Sequence, residues 1–457
     1  MFIRHVANLI SIFMSYNLES FCPEPWSQIE INAAGDFRIC CLTFNPSGKN
    51  KTSFAIDSDG KIMNILTHSF EDAINSETHK DHRLELSCNI KPVRCINCYD
   101  AERSLEGAAI MNKRLSVIEK VATQIPEYVN LDNVNQYTDN TGKVTNKLVG
   151  LHLKFSNLCN MKCLMCNPNS SNLWYDDWVS IEGPVVPLGG KLGKEYVITK
   201  DEHNRNRMNI NAWWDNDIWW DKFKKLMPDL RYLYFTGGEP FIVPALSKCL
   251  DMLIENNHSK DIILMFDTNL SVINFKILDK LKNFKKITFC VSLDDVSDRY
   301  ELIRFPGKYD VFLRNLETIK LNNIKINSVT TCLGLASIYS IPRVVEVADK
   351  YNITPFFRYL IFPEWLNLKF LPSSAKKEII SQYTNMLSGS ANDVYCKSMI
   401  NFLKNYSHDS YTNYEHLNKF VKNMDILDKS RGTNWRVTLS DTYDLLIRHS
   451  HGQITNL

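Results

Sequence analysis

The sequence predicts an α/β protein built on a partial (β/α)6 TIM-like barrel, with a small N-terminal cysteine-rich α+β domain and a C-terminal helical extension. Three observations support this prediction. From Leu148 onward, apolar runs alternate with amphipathic helical segments, which is typical of βα units on a parallel sheet. Six of the thirteen cysteines lie between residues 21 and 111, in a loop-rich stretch. After Leu371 the chain is polar and helical in pattern.

The overall composition narrows the classes of function. The 457 residues are 44% hydrophobic and 23% charged, which at roughly 150 residues per domain indicates two to three globular domains. The 53 Lys and Arg residues nearly balance the 51 Asp and Glu residues, so no overall field attracts nucleic acid or an anionic membrane. No apolar run reaches the roughly 18 residues that cross a bilayer. We therefore expect neither nucleic acid nor a membrane as a partner.

The cysteines point to a reducing compartment. They cluster at short spacings, unlike a secreted disulfide framework, and this favours metal or cluster ligation in the cytoplasm. The first residues carry no small-residue cleavage site, and we expect Met14 to be the initiator.

We predict four segments along the chain. They are 1–115 for the cysteine-rich domain, 116–147 for a linker, 148–370 for the barrel and 371–457 for the helical extension. The linker prediction rests on the Asn-, Asp-, Thr- and Gly-rich stretch 130–146. An insertion at 168–228 has no clear strand and carries six tryptophans, so we interpret it as a packed lid over the barrel mouth.

Periodicity predicts the individual elements. The predicted barrel strands are Val149–Phe155, Tyr232–Phe235, Ile262–Phe266, Ile287–Leu293, Ile326–Leu333 and Phe356–Phe362. The helices predicted between them include Ala245–Glu255, Phe275–Leu281, Tyr309–Leu321 and Pro342–Tyr351. Further upstream, we expect a β-hairpin formed by Trp26–Ile31 and Phe37–Leu42. A hairpin of two strands is too small to be stable without further support, such as a bound metal or cluster.

Three cysteines directly after the first barrel strand carry the strongest chemical signal. Cys159, Cys163 and Cys166 are spaced CxxxCxxC. Thiolates at this spacing can hold three corners of an iron-sulfur cubane and leave one iron open. Zinc is the alternative, but structural zinc takes four ligands and no fourth cysteine follows nearby.

This triplet, placed after the first strand of a six-stranded βα barrel, resembles the radical S-adenosylmethionine (SAM) superfamily. The resemblance implies a barrel of the radical SAM type and a catalytic 4Fe-4S cluster whose open iron is chelated by SAM. It implies reductive cleavage of SAM to a 5'-deoxyadenosyl radical, which abstracts hydrogen from the substrate. A flavodoxin- or ferredoxin-type protein would donate the electron.

The resemblance extends to residues at other strand ends. Gly237, Gly238 and Glu239 resemble the GGE motif of the family, in which the glycines allow close backbone approach and the acid bonds the SAM ammonium. The other positions that the resemblance implies for SAM binding are Met165 for adenine, Asn269 for the cofactor face, Ser292 and Asp294 for ribose, and Arg304 for the carboxylate. The alternative for such polar strand-end residues is helix capping.

The N-terminal cysteines resemble the twitch domain, a shortened SPASM domain that binds an auxiliary 4Fe-4S cluster. By that resemblance we assign Cys22, Cys40, Cys95 and Cys98 as its ligands, with Cys41 or Cys88 as substitutes. A zinc ribbon is the alternative, because Cys-x2-Cys pairs serve zinc equally well.

The resemblance also implies a class of substrate. Related twitch and SPASM enzymes often modify or oxidise peptide or protein side chains, so we expect a peptide or protein substrate. The alternatives are oxidation of a sugar or aminocyclitol alcohol and, in another class, a zinc-stabilised binding protein without catalysis.

Overall fold

The structure is a computed structural model of the whole chain. It describes residues 17–43, 53–103, 113–187, 195–210, 212–389, 393–455 and 457. The interpretation of Met14 as initiator lies outside these ranges.

One eight-stranded sheet organises the molecule, in the order β11-β10-β9-β8-β7-β3-β1-β2. Its strands are β1 (Gln28–Ile31), β2 (Phe37–Arg38), β3 (Gly150–Leu153), β7 (Tyr232–Phe235), β8 (Ile263–Thr268), β9 (Lys286–Ser292), β10 (Lys325–Leu333) and β11 (Thr354–Tyr359). All neighbours pair in parallel except β1 and β2. The α/β class is confirmed, and the six predicted barrel strands are present. Within the described ranges the two end strands do not pair, so the sheet is open.

Helices cover this sheet because each has one apolar face. In the helix Ile341–Tyr351, for example, Val344, Val345 and Ala348 are fully buried at the spacing of a helical stripe. The α-helices are Glu24–Ser27, Phe70–Ile74, Glu77–Ser87, Ile96–Arg103, Lys113–Ser116, Val134–Tyr137, Tyr175–Glu182, Asp217–Leu226, Pro244–Glu255, Phe275–Leu281, Ser297–Ile303, Tyr309–Leu321, Ile341–Tyr351, Ser373–Asn385, Asp393–Asn405, Tyr414–Arg431, Trp435–Thr438 and Ser440–His449.

The N-terminal hairpin differs from its prediction. Its first strand, β1, pairs in parallel with β3, from Gln28 opposite Gly150 to Ile31 opposite Leu153. The second strand, β2, has only two residues. The hairpin is therefore part of the barrel sheet, and backbone pairing with β3 supplies the support that a thin hairpin lacks.

The insertion also differs from its prediction, because it contains a small antiparallel sheet. The strands β4 (Val185–Pro187), β5 (Glu195–Lys200) and β6 (Asn206–Met208) pair in that order. These strands lie outside the alternation of strands and helices that predicts the barrel, so that pattern did not identify them. Trp213 and Trp219 are buried with ring centroids 5.0 Å apart, so this part of the insertion is packed.

The predicted linker segment packs against the N-terminal helices. Val134 and Val144 are buried in the main core, and the guanidinium of the fully buried Arg83 donates a 2.7 Å hydrogen bond to the Gly142 carbonyl. The four domain bounds remain predictions. No helix among the described ranges is both long and apolar enough to span a membrane.

Candidate iron-sulfur and cofactor site

The loop after β3 carries the cysteine triplet and is held from behind by the backbone. Lys162 N–H donates to the Phe305 carbonyl at 2.7 Å, and Leu164 N–H donates to the Ile303 carbonyl at 2.8 Å. The buried indole of Trp174 donates to the Cys163 carbonyl at 3.0 Å. The backbone around the central cysteine is therefore fixed from two directions.

Short polar side chains fix the beginning of the same loop. Cys159 N–H donates to Asn172 Oδ1 at 3.0 Å, and Asn157 Nδ2 donates to the Pro168 carbonyl at 2.6 Å. The Ser171 hydroxyl donates to the Met161 carbonyl at 2.5 Å. Because these side chains satisfy the backbone in a segment without regular structure, the loop keeps one conformation.

Nitrogen donors that can stabilise negative charge lie close to two of the three thiols. Asn269 Nδ2 is 3.9 Å from Cys159 Sγ, and Arg304 Nη1 is 3.8 Å from Cys163 Sγ. A hydrogen bond from Cys166 lowers the pKa of the Cys163 thiol, and the Arg304 guanidinium lowers it further. The same hydrogen bond raises the pKa of Cys166, whereas burial raises the pKa of Cys159 to about 12. Cys163 is thus the thiol most inclined to ionise.

The GGE motif packs directly on the cysteine loop. A Cβ atom at Gly238 would lie 2.0 Å from the Leu158 carbonyl oxygen, and one at Gly237 would lie 2.9 Å from the Ser156 carbonyl oxygen. Glu239 N–H donates to the same Leu158 carbonyl at 2.9 Å. The loop backbone therefore leaves no room for a side chain at either position, and the role of these glycines in SAM binding stays a prediction.

Glu239 is fully buried and accepts three hydrogen bonds. The Thr268 hydroxyl and the Asn269 N–H donate at 2.8 Å each, and the Phe241 N–H donates at 3.2 Å. Burial raises the pKa of Glu239 to about 7 despite these donors. The carboxyl group connects the end of β7 to the end of β8, where Asn269 faces Cys159.

Asp294, which follows β9, and Arg304 form a buried ion pair. Arg304 Nε lies 2.7 Å from Asp294 Oδ2, and Asp294 Oδ1 accepts from Cys332 N–H at 2.6 Å. This pair places the guanidinium beside Cys163. Ser292 is the last residue of β9 and is half-buried, and Met165 is half-buried within the cysteine loop. Neither Ser292 nor Met165 contacts the three cysteines through a recorded hydrogen bond among the described residues.

The four assigned auxiliary ligands line one cavity. Cys22, Cys40, Cys95 and Cys98 all contribute to its wall. His82 also lines this cavity, with Nε2 3.7 Å from Cys95 Sγ.

The two substitute ligands lie elsewhere. Cys41 lines a different cavity, and Cys88 is exposed. The structure therefore brings together the four cysteines that the resemblance selects. In the described part of the chain, no three His, Cys, Asp or Glu side chains converge on a single metal ion, whereas a cubane places each cysteine on a different iron.

A second cavity, of about 740 Å³, is lined by residues of the N-terminal segment, of the insertion and of the C-terminal part of the chain. Residues of its wall include Arg38, Cys41, Lys154, Trp178, Tyr196 and Trp365. Arg38 and Lys154 both pair with the fully buried Glu30, at 3.4 and 2.9 Å. Cavities of this size with a few polar groups on aromatic walls are typical of binding sites.

Sequence reasoning missed the residues that support the cysteine loop from outside the barrel. Asp177 in the insertion pairs with Lys162 of the loop and with Arg431 of the C-terminal extension, at 2.9 Å each. The segment Asp425–Trp435 can be interpreted from sequence as a helix end capped near Gly432 or as part of the active-site floor, and nothing local decides between the two. Pairings between residues 162, 177 and 431 depend on tertiary structure.

Comparisons with known proteins bear on this geometry. Residues 153–337 match the family model of the Radical SAM superfamily, and residues 22–99 match the SPASM model, an iron-sulfur cluster-binding domain. No curated protein matches the sequence.

Several solved structures are similar to the chain. "Native anSMEcpe with bound AdoMet" has 13% identity and a TM-score of 0.34, covering 52% of this chain and 60% of that chain. Streptococcus suis SuiB bound to S-adenosylmethionine has 12% identity and a TM-score of 0.31, with coverages of 75% and 67%. SuiB bound to the precursor peptide SuiA has 12% identity and a TM-score of 0.34, with coverages of 75% and 68%. The chain spans about 60% of the length of the first of these structures.

A mostly parallel sheet with two cysteine constellations, each inside a matched segment, is typical of iron-sulfur enzymes. The chain carries a radical SAM domain at residues 153–337, preceded by a SPASM-type iron-sulfur cluster-binding domain at residues 22–99. Its cofactors are SAM, a 4Fe-4S cluster and auxiliary iron-sulfur. The zinc alternatives are therefore replaced by iron-sulfur binding.

Proposed function

We propose that Cys159, Cys163 and Cys166 hold the catalytic cluster and that the enzyme modifies or oxidises a peptide or protein side chain. The observation that carries the proposal is the thiol triplet, with Cys163 buried and Cys159 and Cys166 half-buried, and with an amide and a guanidinium nitrogen within 4 Å of two of its sulfurs. Donors of this kind stabilise the negative charge of thiolates. Three thiolates without a fourth protein ligand suit a cluster with an open iron.

When bound, the cluster would deliver one electron to SAM, and the cleavage of SAM would supply a carbon-centred radical. The residues of the chain would bind these cofactors, orient them and shield them from water. Arg304, fixed by Asp294, offers a cation beside Cys163, and Asn269, fixed by Glu239 through its backbone N–H, offers a donor beside Cys159. Ser292 and Met165 complete the proposed SAM site from β9 and from the cysteine loop.

The proposal of a peptide or protein substrate is supported by the 740 Å³ cavity. Its aromatic wall residues Trp178, Tyr196 and Trp365 suit apolar side chains, and its amide wall residues Asn32 and Asn169 suit backbone groups. The auxiliary cluster is proposed to be held by Cys22, Cys40, Cys95 and Cys98. It would accept the electron left on the product or anchor the substrate.

The first test is Cys163→Ala in anaerobically reconstituted protein. Without its central thiolate the catalytic cluster should not assemble, so bound iron should fall from about eight to about four atoms per chain. Formation of 5'-deoxyadenosine from SAM and dithionite should fall to background. Iron analysis and chromatography of the nucleoside provide the measurements.

Cys249→Ala is the matched control, because Cys249 is a fully buried cysteine in the helix Pro244–Glu255, away from both constellations. It should retain both the iron and SAM cleavage. Unchanged SAM cleavage in Cys163→Ala would refute the assignment.

The substrate class has its own test. Wild-type enzyme should cleave SAM faster with a pool of peptides than with sugars or aminocyclitols, because substrate draws the reaction forward. Acceleration by an aminocyclitol alone would replace the peptide proposal and leave the cofactor assignment intact.

A further inference from the structure

A buried group of charges lies behind the cysteine loop, opposite the barrel. Arg431 ends the helix Tyr414–Arg431, and its Nε donates to Asp177 Oδ2 at 2.9 Å. Lys162 Nζ lies 2.9 Å from the same carboxylate oxygen. The exposed fractions of the Arg431 and Asp177 side chains are 1% and 3%.

The guanidinium of Arg431 lies near the rings of Trp174 and Phe305, two residues that hydrogen-bond to the cysteine loop. Its carbon lies 5.0 Å from the Trp174 ring centre and 5.5 Å from the Phe305 ring centre. Trp174 donates to the Cys163 carbonyl, and the Phe305 carbonyl accepts from Lys162 N–H. The charge is thus separated from the central cysteine by one layer of side chains.

Arg431 is the more deeply buried cation of this group, since its side chain is 1% exposed and that of Lys162 is 18% exposed. Both cations share the carboxylate of Asp177, and the charge of Asp428 also acts on Arg431. Nη1 of Arg431 is buried without a hydrogen-bond acceptor among the described residues. A buried charge is weakly screened by solvent and salt, so its field reaches the neighbouring thiolates.

We propose that Arg431 of the C-terminal extension sets the reduction potential of the cluster held by Cys159, Cys163 and Cys166. The inference rests on the proposed function of that site. Uptake of one electron from an external low-potential reductant makes the cluster more negative by one charge. A nearby buried cation favours the more negative state, because charge and burial set the potentials of iron-sulfur clusters.

The test is an EPR-monitored redox titration of the full-length, reconstituted enzyme. The signal to follow is the one that changes when SAM is added, since only a cluster with an open iron binds SAM. Arg431→Met removes the buried cation and should lower the ratio of reduced to oxidised cluster about tenfold at a given potential, a shift of about 59 mV for one electron. Arg431→Lys keeps the charge and should stay close to the wild type.

Asp177→Asn separates an electrostatic effect from a structural one. It removes one negative charge and keeps an oxygen that can accept from Arg431. The ratio of reduced to oxidised cluster should therefore rise, whereas Arg431→Met should lower it. Damage to the loop would move both variants in the same direction. If Arg431→Met fails to bind a cluster, Asp177→Asn and Arg431→Lys still carry the test.

Lys419→Met is the matched control, because Lys419 lies on the same helix and pairs with Glu182 of the same insertion helix at 2.6 Å. It loosens the same contact between helices without touching the group behind the loop, and it should leave the potential unchanged. Equal potentials in wild type, Arg431→Met and Asp177→Asn would overturn the inference. Wild-type enzyme without a SAM-responsive signal would instead refute the proposed function.

Discussion

Cys40 and Cys41 are adjacent in sequence but line different cavities. Cys40 lines the cavity shared with Cys22, Cys95 and Cys98, whereas Cys41 lines the large central cavity. Lys113 Nζ donates to Cys41 Sγ at 3.3 Å. A hydrogen bond from Cys40 and the Lys113 ammonium hold the pKa of Cys41 well below its usual range. The two thiols therefore have separable roles.

We expect Cys40→Ser and Cys41→Ser to differ in iron content. Cys40→Ser should lower bound iron from about eight to about four atoms per chain, because one auxiliary ligand is lost. Cys41→Ser should retain about eight, since the four proposed ligands remain. Iron and sulfide analysis of both reconstituted variants gives the comparison, and the reverse pattern would make Cys41 the ligand.

The ligand roles of the cysteines stay predictions, but a short motif was enough to propose them, since thiolate chemistry depends on residue type and spacing. The neighbours of Gly237 and Gly238 could not be predicted in this way. The motif indicates that no side chain fits at these positions, and the structure adds that the Leu158 carbonyl of another loop lies there. The group that a glycine makes room for lies on a distant segment of the same chain, and the local motif does not specify that segment.

The contact between the GGE turn and the cysteine loop can be tested by one methyl group. Gly238→Ala places a Cβ atom 2.0 Å from the Leu158 carbonyl oxygen, so one of the two segments must move. We expect a loss of about 1–3 kcal/mol in unfolding free energy, or more, and poorer retention of the catalytic cluster. Chemical unfolding and iron analysis measure the two effects.

Gly60→Ala is the control for this substitution. A Cβ atom there meets nothing within 4 Å, and only the left-handed backbone at φ +78° opposes it. It should cost about 1–2 kcal/mol and leave cluster content unchanged. Equal cluster loss in both variants would show that the GGE contact does not support the loop.

The strands of the central sheet were predictable, and those of the insertion were not. The six barrel strands follow apolar runs, and their ends differ from the prediction by at most three residues. The strands β4, β5 and β6 were missed because they lie outside the alternation of strands and helices that predicts the barrel. Their pairing is stabilised by the packing of buried Val186, Tyr196, Ile198 and Met208 in the core, which is a tertiary effect.

The stability of the whole molecule should depend on pH through a buried lysine of the C-terminal extension. Lys376 Nζ donates to the carbonyls of Lys369 and Tyr406 at 2.6 and 2.7 Å. Burial lowers the pKa of Lys376 to about 8. An unfolded lysine has a pKa of about 10.4, so between these values the unfolded chain binds more protons and stability rises with pH.

The variant Lys376→Met should lose this contribution. Urea unfolding between about pH 7.5 and about pH 10 should show wild type gaining stability relative to the variant as pH rises. Lys377→Met, at the exposed neighbouring position, should follow the wild type across the same range. A wild-type advantage that shrinks with increasing pH would contradict the assignment.

At the scale of the whole molecule, alternating strands and helices predicted the α/β class, but not how its parts join. Periodicity identifies an apolar face without naming its partner, so the pairing of β1 with β3 could not be foreseen. The same holds for Arg431, which reaches the cysteine loop from the far end of the chain. Both contacts depend on residues far apart in sequence.

The pairing of β1 with β3 also sets an order of events during synthesis. Gln28 leaves the ribosome well before Gly150, the residue it faces in the sheet. Until then β1 has an unpaired edge toward its missing neighbour, and such an edge can recruit another chain. The cysteine-rich segment should thus complete its fold only once translation has passed β3, so its metallation would follow, rather than precede, the start of the barrel.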